Sequence, residues 1–130
     1  MTARILVIDD DPDLVEVLRL TLEANGYEVY SAAGGAEGLE QVKAAQPDLI
    51  ILDELFSGLS LAEVASIVPI IEKLRLAGKT IIMIEHRLKE LFRIADRVIV
   101  LNYGDKIAEG NADEVMESDA VKKAYLGAEA

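Results

Sequence analysis

Short apolar runs alternate along this chain with segments of helical periodicity, and this alternation constrains the fold more than any other feature. Continuous apolar runs of about four to eight residues are typical of strands that are buried on both faces. Helical segments between successive strands favour parallel pairing with right-handed crossovers. Five strands are predicted, of which the second is the most polar: residues 5–8, 28–32, 49–52, 80–84 and 98–101. The chain is therefore predicted to form an α/β fold, in which helices cover both faces of a parallel sheet.

Turn and cap residues refine this outline. Residues 102–105, Asn-Tyr-Gly-Asp, predict a hairpin turn, so an antiparallel edge strand is expected after the fifth strand. Ser60 and Glu63 have the spacing of a capping box, which indicates that a helix begins at this point. Pro69 lies inside that helix and is expected to kink or divide it, because proline removes one backbone hydrogen bond.

The composition limits the kind of protein this is. The 130 residues are enough for one domain with a hydrophobic core. The 24 acidic and 13 basic side chains give a net charge of −11, which opposes binding to nucleic acid or to an anionic membrane. No apolar run approaches the roughly 18 residues of a membrane span, and cysteine and a secretory signal pattern are both absent from the sequence. We expect a single domain over residues 1–130, cytoplasmic and monomeric, without a nucleic-acid or membrane partner.

Ionisable side chains collect where the predicted strands end. The carboxyl ends of parallel strands meet at one edge of the sheet, and ligands of such folds bind at this edge. Clustered carboxylates repel one another unless a cation lies between them, and their oxygens suit Mg²⁺. Six side chains share this placement: Asp9, Asp10, Asp53, Glu54, Glu85 and His86. Asp9, Asp10 and Asp53 are therefore candidates for weak Mg²⁺ binding, and the alternative is three solvated acids with no role.

Residues 4–53 resemble the first half of a two-component response-regulator receiver domain. The motifs ILVIDDD and PDLIILD carry the resemblance, together with the lengths of the intervening helices. It implies that Asp9 and Asp10 help to hold Mg²⁺ and that Asp53 accepts a phosphoryl group from a histidine kinase. Two groups of that family are missing further along. Glu85 stands where a receiver has a threonine or serine, and Leu101 stands near the position of its lysine.

From about residue 49 to residue 127 the chain resembles the carboxyl-terminal part of an ABC-transporter ATPase, closest to the branched-chain amino acid importers. The motifs ILDELFSGLS, TIIMIEH, ADRVIVLNYGDKIAEG and DAVKKAYLG carry this resemblance. It implies that Asp53 acts on Mg²⁺, that Glu54 polarises the attacking water, and that His86 contacts the γ-phosphate. Leu55 and Leu61 replace the prolines that are usual in the family.

ATP hydrolysis is not expected, because the sequence contains no phosphate-binding loop of the G-x-x-x-x-G-K-[ST] type, no glutamine loop and no LSGGQ-type signature. Without the loop's amides and lysine, Glu54 and His86 have no bound nucleotide on which to act. Both are interpreted as vestigial catalytic residues, and Asp53 is interpreted as a vestigial phosphoacceptor.

Together the two resemblances favour an engineered chimera whose join lies within or near residues 49–53. A receiver-like fragment of about residues 1–53 and an ATPase-like fragment of about residues 49–130 would share one domain. The expected architecture is a flavodoxin-like three-layer sandwich with parallel strand order 2-1-3-4-5 and an extra antiparallel edge strand.

The predicted function is that of a designed scaffold, which is not an enzyme and requires no cofactor, with weak Mg²⁺ binding as its one residual property. Two alternatives remain open. The first is an atypical receiver that acts as a phosphorylation-dependent switch through Asp53. The second is an inactive fragment of an ATP-binding cassette.

Overall fold

The computed structural model of the chain describes residues 2–56, 58–86 and 88–126. These residues fall into two compact units, and the second begins at Leu88. The single domain expected over residues 1–130 and the join expected within residues 49–53 stay predictions. The two units are described separately.

The first unit is a parallel sheet whose strands alternate with helices. Its elements are β1 (Arg4–Ile8), α1 (Pro12–Ala24), β2 (Glu28–Ala32), α2 (Gly35–Ala45), β3 (Leu49–Asp53), α3 (Leu61–Leu76) and β4 (Thr80–Ile84). The strand order is β2-β1-β3-β4, and every pair is parallel. Ile5 of β1, for example, lies opposite Val29 of β2 and Leu49 of β3. This confirms the predicted α/β class and the predicted order of the first four strands.

The core of this unit is centred on β1. All four side chains from Ile5 to Ile8 are at most 6% exposed. Successive side chains of a strand point to opposite faces, so both faces of β1 are covered. On one face Ile5 and Val7 pack with Val15 of α1. The uninterrupted apolar run of β1 therefore corresponds to a strand that is covered on both faces, as the sequence predicts.

Helix α3 begins where the sequence predicts and continues through its proline. The Ser60 hydroxyl accepts from the Glu63 amide at 3.2 Å, and the Glu63 carboxylate accepts from the Ser60 amide at 3.3 Å, which completes the capping box. The division expected at Pro69 does not occur. Pro69 and Ala65 both lie on the exposed side, so water can reach the Ala65 carbonyl that lacks an amide partner. No helix in the described ranges is both long enough and apolar enough to cross a membrane.

The second unit is built around a β-hairpin. Its elements are α4 (Leu88–Ile94), β5 (Val98–Asn102), β6 (Asp105–Gly110), α5 (Ala112–Met116), α6 (Asp119–Val121) and a π-helical turn (Lys122–Leu126). The hairpin turn passes through Tyr103 and Gly104, and both have positive φ, as expected in the tight turns that join antiparallel strands. Val98 and Val100 of β5 form the core with Val115 and Val121. Gly127, the last residue of the tail motif, lies outside the described residues.

Strand β5 is placed differently from the prediction. The extra antiparallel strand is confirmed as β6, but β5 pairs with β6 in a separate two-stranded sheet, whereas the sequence placed it beside β4 as the fifth parallel strand. Val98 and Val100 are buried, and Ile99 and Leu101 are each 53% exposed. A hairpin needs only a two-residue connection, while a parallel pair needs a long crossover. The short turn after β5 therefore accounts for the pairing with β6, which the sequence also predicts.

Candidate functional site

The carboxyl ends of β1, β3 and β4 place ionisable side chains at one edge of the parallel sheet. Asp9 follows β1, Asp53 is the last residue of β3, and Glu85 follows β4. The register aligns these ends, since Leu52 lies opposite Ile8 on one side and Asp53 lies opposite Ile84 on the other. Asp9, Asp53 and Glu85 therefore stand at the carboxyl ends of neighbouring strands.

Asp9 and Asp53 are close enough to share a hydrogen bond between their carboxyl groups. The pKa of Asp53 is raised from the ordinary 3.8 to about 6. Burial is the largest cause, followed by the hydrogen bond to Asp9 and then by the negative charges of Asp9, Glu54 and Glu85. Asp53 therefore holds a proton more tightly than an exposed aspartate does.

The carboxylates of Asp9 and Asp11 accept hydrogen bonds from the local backbone. The Asp9 carboxylate accepts from the Asp11 amide at 3.0 Å, and the Asp11 carboxylate accepts from the amides of Asp13 and Leu14 at the start of α1. Asp10 is exposed. The oxygen ligands are of the type that Mg²⁺ prefers. Within the described parts of the chain, however, no three Asp, Glu or His side chains are grouped as metal ligands would be, so Mg²⁺ binding by Asp9, Asp10 and Asp53 stays a prediction.

Glu54 and His86 meet at the surface. The His86 Nδ1 atom lies 3.5 Å from the Glu54 Oε1 atom, and the side chains are 64% and 57% exposed. Glu54 has a φ of 52°, in the left-handed region, and its amide donates to the Ile84 carbonyl at 2.8 Å. An exposed pair of this kind contributes little to stability. The two residues that the ATPase resemblance singles out are therefore adjacent but open to water.

Glu85 has a contact that sequence reasoning missed. Its Oε2 atom accepts from the Phe56 amide at 2.9 Å, and the side chain of Phe56 is fully buried. This bond ties the segment after β3 to the end of β4. The one available signal was the apolar pair Leu55-Phe56 directly after two acids, which is unusual at an exposed strand end. Glu85 stands where a receiver has a threonine or serine, and here its carboxylate accepts a hydrogen bond from the backbone.

Replacing Glu85 by alanine is expected to lower the free energy of unfolding by about 1 kcal/mol, because the bond to the Phe56 amide is lost. Replacing it by glutamine keeps an acceptor oxygen at the same position, so the loss is expected to be smaller. Urea denaturation of both variants measures the difference. Equal losses for alanine and glutamine would show that the hydrogen bond is not what Glu85 contributes.

The larger part of the chain matches a known family. Residues 5–84 match the family model described as the response regulator receiver domain, and this range is more than half of the chain. A solved response regulator receiver domain protein (CheY-like) from Methanospirillum hungatei is 31% identical, with a TM-score of 0.52. The superposition covers 64% of this chain and 63% of that protein. The chain belongs to the response regulator receiver family.

The end of the chain matches a second family. Residues 106–130 match the model described as branched-chain amino acid ATP-binding cassette transporter. The lipopolysaccharide export system ATP-binding protein LptB of Escherichia coli is 36% identical over 84 residues, which are 65% of this chain and 35% of that protein. The high-affinity branched-chain amino acid transport ATP-binding protein BraF of Pseudomonas aeruginosa is 33% identical over 116 residues, 87% of this chain and 46% of that protein. The chain spans about a third to a half of the length of these relatives.

The chain therefore combines a receiver-family match with sequence that is similar to ATP-binding cassette proteins. The two similarities overlap. The receiver match continues to residue 84, beyond the predicted join at residues 49–53, and a match over 87% of the chain necessarily includes residues before Leu49.

Proposed function

We propose that the chain is an engineered chimeric scaffold with no native catalytic activity and with weak Mg²⁺ binding as its residual property. The observation that carries the proposal is the presence of two family matches in one chain. Neither match is accompanied by the full set of residues that would bind a phosphate or phosphoryl group. The net charge of −11 opposes binding to nucleic acid or to an anionic membrane, so neither is proposed as a partner.

On the receiver side, the groups that would stabilise a phosphoryl group on Asp53 are missing. Glu85 brings a negative charge to the end of β4, and its carboxylate already accepts from the Phe56 amide. Leu101, near the lysine position, is an apolar side chain in the second unit. A phosphoryl group adds negative charge, and preorganised donors or cations are needed to stabilise it. Asp53 is therefore proposed to be a vestigial phosphoacceptor.

On the ATPase side, the residues that would bind the nucleotide are missing. LptB and BraF are named as ATP-binding proteins, but these 130 residues contain no phosphate-binding loop. Glu54 and His86 contact each other at an exposed position. Positioning of the phosphates is most of what such an enzyme contributes, so an isolated Glu-His pair supplies no hydrolysis.

The proposed Mg²⁺ binding is pH-dependent. A cation at the carboxyl ends of the strands would contact the Asp53 carboxylate, which must first lose its proton. Because the pKa of Asp53 is raised to about 6, the proton competes with the cation below that pH. The apparent affinity for Mg²⁺ is therefore expected to increase as the pH rises from 5 to 7.

An amide NMR titration with Mg²⁺, then beryllofluoride, then ATP tests the proposal. Mg²⁺ is expected to shift amides near Asp9 and Asp53 at millimolar concentration only, and beryllofluoride and ATP are expected to cause no further saturable shifts. In the control variant Asp53→Asn, the Mg²⁺-dependent shifts should weaken. Saturable ATP binding would contradict the scaffold proposal and favour a functional nucleotide site.

A second candidate, an atypical receiver with Asp53 as phosphoacceptor, is favoured by two observations. The receiver match runs through residue 84, and Asp53 is a partly exposed residue at the end of β3 beside Asp9. A functional switch should accept phosphate from a small donor with Mg²⁺. Beryllofluoride would then shift amides along β4 and β5 as well as near Asp53, and this result would replace the scaffold proposal.

A further inference from the structure

The turn between α1 and β2 contains the one Asn-Gly dipeptide of the sequence, Asn25-Gly26. Asparagine is a chemically labile residue, and a following glycine has no Cβ to obstruct attack by its nitrogen on the asparagine side chain. The reaction that follows from such an attack is deamidation, which needs water and no enzyme. Its rate in the folded protein depends on how the turn holds the Gly26 nitrogen and the Asn25 Cγ atom.

Backbone hydrogen bonds close this turn. The Gly26 amide donates to the Glu23 carbonyl at 3.0 Å, and the Tyr27 amide donates to the Leu22 carbonyl at 3.1 Å. These are the two bonds of a Schellman motif, in which Gly26 takes the left-handed position with a φ of 90°. An amide that donates to a carbonyl gives up its proton less readily than a free one. The bond to Glu23 therefore opposes the first step of deamidation.

The side chain of Asn25 is held as well. Its Nδ2 atom donates to the Thr21 carbonyl at 2.7 Å. The ψ of Asn25 is 12°, so the Gly26 nitrogen nearly eclipses the Asn25 nitrogen, whereas closure of a cyclic imide requires it to lie on the side of Cβ. All of these contacts lie within residues 21–27, so the protection belongs to the first unit alone.

We propose that Asn25-Gly26 is a spontaneous deamidation site that the closed turn protects, so that it is modified only when the C-terminal end of α1 opens. In the open turn a base removes the Gly26 amide proton, and the nitrogen attacks the Asn25 Cγ atom. The new C–N bond replaces the bond to Nδ2, which takes a proton from water and leaves as ammonia. Water then opens the imide at either carbonyl and leaves aspartate or isoaspartate at this position, with no oxidation or reduction.

The modified residue cannot close the turn in the same way. A carboxylate has no N–H to donate to the Thr21 carbonyl. It also adds negative charge at the C-terminal end of α1, which is already the negative end of the helix dipole and carries Glu23. Isoaspartate additionally lengthens the backbone just before β2, which begins at Glu28. Deamidation is therefore expected to favour further opening of the turn.

Peptide mapping by mass spectrometry tests the proposal on the full chain, incubated at pH 8 in native buffer and in denaturing guanidinium chloride. Deamidation of Asn25 is expected to be at least about tenfold slower in native buffer, because local opening must precede it. Asn111 is the internal control, since the Cβ of Ala112 obstructs the same attack and its conversion should be slow in both solutions. Equal rates for Asn25 in the two solutions, or no conversion in the denaturant, would overturn the proposal.

Hydrogen exchange shows whether the turn or the whole unit must open. Below the denaturation midpoint, deamidation of Asn25 and exchange of the Gly26 amide are expected to become faster together, while the amides of β1 stay protected. Deamidation that becomes faster only when the β1 amides exchange would overturn the role of the turn.

Two variants test the effect of the modification. Asn25→Asp is expected to lower the midpoint of urea denaturation at pH 7 more than Asn25→Ser, because both lose the Nδ2 donor and only the first adds a charge. Equal midpoints would show that the added charge does not open the turn.

Discussion

The Phe56→Ala variant is expected to unfold with a free energy about 3–5 kcal/mol lower than that of the unmodified chain. Phe56 is fully buried, and it is the largest of the fully buried side chains among the described residues. Truncating a buried phenylalanine removes its transfer free energy and leaves a cavity that the surrounding structure fills only in part. Phe56 lies in the motif ILDELFSGLS, which carries the ATPase resemblance, within a unit whose sheet is receiver-like. A loss of this size would show that this segment contributes to the same core.

Urea denaturation at pH 7 measures the change. Leu61→Ala is the matched control, because Leu61 begins α3 five residues later and is 70% exposed. Its truncation is expected to change the free energy of unfolding by less than about 0.5 kcal/mol. A loss below about 1 kcal/mol for Phe56→Ala would mean that the segment after β3 adds little to the core.

Local sequence signals predicted the elements of the first unit well. The continuous apolar run of β1 identifies a strand that is covered on both faces. The Ser60-Glu63 capping box depends only on contacts between residues three apart, so the sequence alone is enough to predict it. Pro69 was predicted to kink or divide α3 on the basis of the lost hydrogen bond alone, and the division does not occur. That loss is tolerated where the freed carbonyl is exposed, and exposure depends on which helix face is buried.

The hairpin partner of β5 was predicted from the turn at residues 102–105, but the face of β5 that is buried was not predictable from its own sequence. Val98, Ile99, Val100 and Leu101 are all apolar, so the run carries no alternation that identifies one buried face. The structure buries Val98 and Val100 against the second unit's own helices and leaves Ile99 and Leu101 half exposed. An uninterrupted apolar run is consistent with a central parallel strand and with a hairpin strand, and the choice depends on contacts elsewhere in the chain.

The candidate site was also predicted only in part from the sequence. Asp9 and Asp53 were expected to lie close together, because the ends of adjacent parallel strands meet at one edge. The bond from the Phe56 amide to Glu85 was not predicted, since Phe56 lies in an irregular segment with no periodicity to place it. The raised pKa of Asp53 also depends on burial, which no short motif specifies.

Asp53→Asn is expected to stabilise the protein at pH 7 by about 1–2 kcal/mol. A carboxyl whose pKa rises from 3.8 to about 6 on folding binds its proton more tightly in the folded state. Folding stability therefore falls as the pH rises from about 4 to about 6, and the full penalty is present above that range. The shift corresponds to about 3 kcal/mol, which we reduce because Asp53 is only partly buried and solvent screens the neighbouring charges. Asparagine carries no charge at any pH, and its amide can still donate to Asp9.

Urea denaturation of both proteins from pH 3 to pH 8 checks the sign and the range. The stabilisation by Asp53→Asn should be absent below about pH 4, increase through the range up to pH 6, and then level off. Asp10→Asn is the control, because Asp10 is an exposed acid in the same strand-end sequence, and its effect should be small throughout. If Mg²⁺ binds at Asp53, millimolar Mg²⁺ should stabilise the unmodified chain at pH 7 but not the Asp53→Asn variant, and the difference between them should shrink. A loss of stability at pH 7 in Asp53→Asn, or a difference independent of pH, would show that repulsion and burial at Asp53 do not oppose folding.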